Sequence, residues 1–209
     1  MKILLLGASG RTGRMFLSGA LERGHSVTAV VRQPGVIIEG DHPGLRVVVA
    51  NPLSTSDLVP LLVGQDVVVS CLGQTSRAAP YLLRDAAVAM EAAISRSNPN
   101  LRYLVISQAL LFPTRNPLVL LIRLMYHRVQ LDSSAMEKVV RSGPAPWTIV
   151  RPTRLVESKG PQGYTAATDL RPKASATLRR TGLANFLLEE ATAPHHVRQI
   201  VGLTSGTAK

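Results

Sequence analysis

A single cysteine, Cys71, leaves the chain without a partner for an internal disulfide and without the thiolates of a multi-cysteine metal site. Long apolar runs are missing as well. Nothing approaches the roughly 20 residues of a bilayer-spanning helix, and Ile3–Leu6 is too short for a signal peptide. No membrane partner is therefore expected, and the expected compartment is the cytoplasm. Aromatic residues are few, at 4%, so platforms for stacking single-stranded bases are scarce. Carboxylates are outnumbered: 13 Asp and Glu face 24 Lys and Arg, for a formal charge of +11. That surplus admits a polyanionic partner. The basic residues are scattered, however, and their longest run is the pair Arg179 and Arg180. Nucleic acid is thus not the expected partner, whereas a polyanionic small molecule is steered by the same field. His195 and His196 have no third ligand in a fitting motif, so no metal is expected.

What is present fits one domain spanning 1–209, with 45% hydrophobic residues. Short apolar runs predict strands at Ile3–Leu6, Val27–Val31, Arg46–Val49, Val67–Ser70, Tyr103–Ile106, Thr148–Val150 and Gln199–Leu203. Amphipathic stretches predict helices at Thr12–Arg23, Ser56–Leu62, Ala79–Arg96, Leu131–Ser142 and Leu183–Ala191. Gly24 and Gly143 stand where helix C-caps put glycine. The alternation predicts an α/β fold: a Rossmann-like, doubly wound parallel sheet with helices on both faces and a small C-terminal substrate-side region.

Two stretches break the rhythm. Residues 112–128 pair a turn-forming FPTRNP with the apolar LVLLIRLMYHRV, and are read as an insertion: a lid, a packing helix or a dimer face. A homodimer through 118–126 is one expectation. The stretch 153–180 is rich in Pro and Gly and reads as a looser, substrate-side loop.

The opening residues carry the chemistry. Gly7, Gly10 and Gly13 form G-x-x-G-x-x-G directly after a strand and at the mouth of a helix. Glycine there permits a tight turn and a close approach to a pyrophosphate, which meets the free N–H groups of the helix start. The second strand then ends in Arg32, where a binder of NAD usually offers a carboxylate. A guanidinium can instead grip a 2′-phosphate, and Arg11 within the turn is placed to assist. The expected cofactor is NADP(H).

GASGRTG, VVRQPG, GQDVVVSCLG, LVISQA and WTIVRPTRL, taken in order, resemble the atypical short-chain dehydrogenase/reductases with NAD(P)H-binding, NmrA-like domains. Within them the likeness is greatest to the biliverdin reductase B and flavin reductase type. The resemblance implies that Gly7, Ser9, Gly10, Arg11, Thr12 and Gly13 hold the pyrophosphate and nearby phosphate, and that Arg32 holds the 2′-phosphate. It implies Asn51 and Pro52 beside the adenine, where Asn51 replaces the usual aspartate. Cys71, Leu72 and Gly73 are implied on the ribose side, Ser107 and Gln108 beside the nicotinamide, and Pro152 and Thr153 covering it. Cys71 reads as a small buried hydrophobe rather than a nucleophile. Ser107 reads either as a strand-end cap or as a site residue.

The wider superfamily places Tyr-x-x-x-Lys on the helix after the fifth strand. Anchored on Glu137, those positions hold Val129 and Ser133, which cannot perform that acid–base work. Candidate catalytic groups are then Ser107, Gln108 and His127. Glu137 stands where the flavin-reductase-like relatives carry a histidine, and faces either substrate or a surface partner such as Lys138 or Arg141. The expected function is an NADPH-dependent reductase that passes hydride to a flavin, a quinone or a related aromatic or carbonyl small molecule. The alternatives are a non-catalytic, NmrA-like NADP(H) sensor and a tailoring ketoreductase or cyclase of an aromatic metabolite.

Overall fold

A computed structural model of the chain describes residues 1–36, 41–73, 81–157, 163–170 and 172–206. Its centre is an 8-stranded sheet. The strands are β1 (Lys2–Leu6), β2 (Ser26–Val31), β3 (Leu45–Val49), β4 (Val67–Ser70), β5 (Arg102–Ile106), β6 (Trp147–Pro152), β8 (Tyr164–Ala167) and β10 (Gln199–Ser205). Their order is β3-β2-β1-β4-β5-β6-β10-β8. Every neighbouring pair is parallel except β10 with β8, which is antiparallel. The reversal of strand order between β1 and β4 opens the crevice in which such sheets bind ligands, beyond the strands' carboxyl ends.

Both faces of the central strands are apolar because both are covered. Ile3 and Leu5 enter one core with Val27, Ala29, Val67, Val69 and Leu104. Leu4 and Leu6 enter the other with Val30, Val68, Tyr103 and Val105. This is the period of two expected of a strand, with oil on both sides. The first core is closed by α1 (Arg11–Glu22) and α6 (Arg180–Thr192) through Phe16, Leu17, Leu183 and Leu187. The second is closed by α2 (Thr55–Leu58), α3 (Leu82–Ser97) and α5 (His127–Ser142) through Leu58, Met90, Ile94, Met136 and Val140. The stretch expected as a helix to Leu62 changes to a 3-10 turn at Val59–Leu62, where Pro60 lacks the N–H to continue an α-helical ladder. Ala79 and Pro80, expected within the third helix, lie outside the described residues.

Gly24 follows the C-cap of α1 with φ +74, the left-handed ending for which glycine is suited. Gly143 caps α5 for another reason. Its φ is −75, and a side chain there would meet the Glu91 carboxylate at 1.9 Å. Close approach, not backbone handedness, demands glycine at 143.

Among the described residues after Pro152 are three short strands that the sequence pattern does not show. β7 (Arg154–Val156) and β9 (Thr177–Arg179) pair in parallel as a separate ribbon, and β8 joins the main sheet. His195 and His196 also differ from expectation, since a carboxylate does stand beside them. Buried Glu190 accepts from both backbone N–H groups and lies 2.8 Å from His196 Nδ1. It also pairs with Arg102 at 3.5 Å. The cluster pins the end of α6 to β5 and β6. No group of three potential ligands for a metal occurs among the described residues.

Candidate functional site

Three glycines shape the turn after β1. Gly7 has φ +75, and a Cβ there would lie 2.7 Å from the Cys71 carbonyl carbon and oxygen. Gly13 sits in the first turn of α1, where a Cβ would lie 2.1 Å from Gly7 O. These two allow the turn, the helix and the end of β4 to share one place. Gly10 is different: it caps α1 without a side-chain bond, and a Cβ would meet only Gly7 O at 3.2 Å. Its value lies in leaving the helix start open. The first turn of α1 carries no acidic side chain, so its N–H groups and the positive end of its dipole face the crevice unopposed.

Around this cradle the structure gathers cations. Arg14 donates to Ser9 O and Val36 O, both at 3.1 Å, and so ties the turn to the segment after β2. Arg11 is paired with Glu157 at 2.6 Å, and Arg180 approaches the same carboxylate at 3.4 Å. Their guanidinium groups hold Glu157 below the usual carboxylate range. The Arg11 pair is open to solvent, and such pairs contribute little. It can be exchanged for a phosphate at small cost. Arg32 follows β2 directly and is exposed.

The remaining expected residues line the carboxyl ends of successive strands. Asn51 follows β3 and makes an Asx turn: its Oδ1 accepts from Leu53 N at 3.0 Å, while its own N–H donates to Asp57. Pro52 beside it is buried. Cys71, Leu72 and Gly73 follow β4. Burial pushes the Cys71 thiol up to about 12, which fits a packing role. Pro152 ends β6 and is buried. Thr153 is buried as well, its N–H donates to Leu203 O at 2.9 Å, and its Oγ1 has no hydrogen-bond partner among the described residues.

Ser107 and Gln108 follow β5, and both are held by α5. Ser107 Oγ donates to Glu137 Oε1 at 2.5 Å. Arg151, on β6, clasps that carboxylate with Nε at 2.9 Å and Nη2 at 2.6 Å. Its guanidinium also lies over the Phe112 ring, 4.8 Å from the centroid. Gln108 Nε2 donates to Ser133 Oγ at 2.8 Å and to Val129 O at 3.1 Å. Glu137 is thus neither on the surface nor paired with Lys138 or Arg141. It is the buried centre of a Ser107–Glu137–Arg151 network. Arg151 was not among the expected site residues, although a charged residue inside WTIVRP, otherwise a buried strand, was a signal that a partner had to exist. His127 lies in the exposed first turn of α5, outside this network.

Known proteins resemble this chain in sequence and in fold. A family profile described as NAD(P)H-binding matches residues 7–194. The chain belongs to the NAD(P)H-binding family. Solved structures share its fold. An oxidoreductase, YlbE of Lactococcus lactis, is 15% identical with a TM-score of 0.84, covering 100% of this chain and 92% of that one. The anaerobilin reductase ChuY of Escherichia coli O157:H7 is 17% identical with a TM-score of 0.80, covering 100% and 99%. A protein of Streptococcus pneumoniae TIGR4 with the provisional name NADH-flavin reductase is 18% identical with a TM-score of 0.78, covering 99% and 100%. The resemblance read from GASGRTG through WTIVRPTRL is to the same kind of protein. The fold is Rossmann-like, and a nicotinamide cofactor belongs to the family. Two features of this chain fit that group: the tight turn that a Cβ at 7 or 13 would break, with Gly10 leaving the helix start open, and the orphaned Thr153 hydroxyl near the strand ends.

Proposed function

We propose that the protein is an NADPH-dependent reductase acting on a flavin, a quinone or a related aromatic or carbonyl small molecule. The observation that carries this reading is the placement of the Ser107–Glu137–Arg151 network at the carboxyl ends of β5 and β6, in the same sheet whose β1 end carries the glycine cradle. When bound, the cofactor supplies a hydride; the chain supplies position. Gly7, Ser9, Gly10, Arg11, Thr12 and Gly13 hold the diphosphate. Arg32 takes the 2′-phosphate, with Asn51 and Pro52 beside the adenine and Cys71, Leu72 and Gly73 along the ribose. Pro152 and Thr153 would cover the nicotinamide, where the Thr153 hydroxyl would find the partner it lacks among the described residues.

Ser107 commits its proton to Glu137, so its oxygen meets anything in the site as an acceptor. Arg151 compensates the carboxylate and fixes its plane through two hydrogen bonds. Gln108 is fixed by Ser133 and Val129, the positions that hold Lys and Tyr in standard carbonyl reductases. Without that acid–base pair, an acceptor ring that takes its proton from solvent suits the site, and catalysis is chiefly positioning.

The test is a titration of the purified protein with NADPH and with NADH, followed by FMN, riboflavin and a simple quinone in the same cuvette. Oxidation of NADPH on adding an acceptor is the expected result. Tight binding without oxidation by any acceptor would replace the reductase with a sensor or a tailoring enzyme. Absence of binding would remove the cofactor assignment.

A further inference from the structure

The stretch 112–128 resolves into a helix, α4 (Pro117–Met125), the segment that leads into it and the first residues of α5. Not one residue of α4 is buried. Leu118, Leu120, Leu121, Leu124, Met125 and the following Tyr126 are 46 to 74% exposed. This is not a frayed end. Asn116 Oδ1 caps the helix by accepting from Leu118 N at 2.9 Å, Arg123 Nε donates to Leu110 O at 2.8 Å, and Gln130 Nε2 donates to Arg123 O at 2.6 Å. Arg123 also donates to Phe112 O. The helix is bolted down by its polar groups, and its leucines and Met125 face outward, with Val119 and Ile122 half-buried. A contiguous apolar patch of this kind marks an interaction site.

The charge around the patch selects the occupant. Residues 92–131 contain no Asp or Glu. Arg115 precedes the helix and His127 and Arg128 follow it, all exposed, and neither arginine is ion-paired among the described residues. The whole chain carries a formal charge of +11. A second copy would bring identical cations against one another. An anionic lipid surface meets both demands at once, with acyl chains for the leucines and headgroup phosphates for the arginines. At about 1.5 Å per residue the helix is far too short to span a bilayer, so it would lie in the plane of the interface. We propose that α4 docks the protein on an anionic phospholipid bilayer. The expectation of no membrane partner rested on the lack of a spanning run, a criterion that is blind to a helix lying on the surface. This inference stands apart from the reductase reading.

The test is co-sedimentation of the full chain with vesicles of equal phosphatidylglycerol and phosphatidylcholine, and with vesicles of phosphatidylcholine alone. Wild type, L121S/L124S and R115Q/R128Q are compared, with far-UV circular dichroism verifying that each variant is folded. The expected result is binding to the anionic vesicles and not to the neutral ones. L121S/L124S, whose charge is unchanged, should lose at least tenfold in partitioning. R115Q/R128Q, and wild type in about 1 M salt where the Debye length is about 3 Å, should lose several-fold. Undiminished binding by L121S/L124S would assign the effect to net charge alone and overturn the proposal. So would failure of wild type to bind anionic vesicles, whether it sediments as a monomer or as a dimer that L121S/L124S dissociates.

Discussion

Ser107 Oγ and Glu137 Oε1 stand 2.5 Å apart, joining the end of β5 to the middle of α5 across the floor of the site. Glu137 is 4% exposed and shares its carboxylate with Arg151. Removing the serine hydroxyl leaves that ion pair in place. Ser107→Ala should therefore lower kcat with NADPH and a quinone acceptor by about tenfold, less than the roughly hundredfold lost with a donor aimed at developing charge, while the NADPH Kd changes less than twofold. Steady-state kinetics beside a binding titration separates the two. An unchanged kcat would return Ser107 to capping a strand end. Glu137→Ala is a different experiment, because it strands the Arg151 charge in a buried place. It should destabilise the protein by roughly 3–5 kcal/mol, measured by urea unfolding.

The glycines of the turn should separate by consequence. A methyl at 13 would stand 2.1 Å from the Gly7 carbonyl oxygen, and that oxygen belongs to backbone that cannot swing aside. Gly13→Ala should lower stability as well as NADPH binding. At 10 the same methyl meets a single atom at 3.2 Å. Gly10→Val should lower the unfolding midpoint less than Gly13→Ala does yet abolish NADPH binding, since its branches occupy the approach to the helix start. Thermal melts and fluorescence titrations of both variants would show this. Retained NADPH affinity in Gly10→Val would make the turn structural only.

Much of this was legible because strands buried on both faces write their pattern locally. Ile3 to Leu6 are apolar without a break, and the structure sends them alternately into the two cores. The glycine spacing is local in the same sense. The Glu137–Arg151 pair is not, since its residues sit on a helix and on the strand after it, and only the fold sets them face to face. The strands β7 and β9, at 3 residues each, are too short for a period to show. Glu190 escaped for a related reason. It lies on α6 among residues that cover the sheet, and its partners arrive from β5, from β6 and from the His195–His196 backbone.

Arg32 and Arg11 make separable demands on the cofactor. Arg32 is exposed at the end of β2, where a 2′-phosphate would meet it. Arg32→Glu should weaken NADPH at least tenfold and NADH by less than threefold, and an equal loss for both would sink the 2′-phosphate assignment. Arg11 is held by Glu157 at 2.6 Å, so a phosphate must compete with that carboxylate. Glu157→Gln should tighten NADPH and NADH alike, by a few-fold, with the gain fading as salt rises. Isothermal titration at two ionic strengths tests both variants.

Glu91 gives the protein a pH dependence of its own. Its carboxyl is 6% exposed behind Gly143, and neither oxygen finds a hydrogen-bond partner of ordinary geometry among the described residues. Burial pushes it up from 4.5 to about 7, and the pull of the Ala145 N–H and the Arg198 charge opposes this only in part. The sign follows from which state holds the proton. Below pH 4.5 the group is neutral in both the folded and the unfolded chain, so folding carries no penalty from it. As pH rises the unfolded chain ionises first, and stability falls until the folded group also ionises near pH 7, then levels off. The loss amounts to about 3 kcal/mol. Glu91→Gln cannot ionise and escapes it. The stability of the variant minus that of wild type, from urea unfolding at a series of pH values, should be flat below about 4.5, rise between about 4.5 and 7, and be flat again above. A difference independent of pH would mean that Glu91 ionises in the folded protein as readily as in water, and that the contact with Gly143 is solvated.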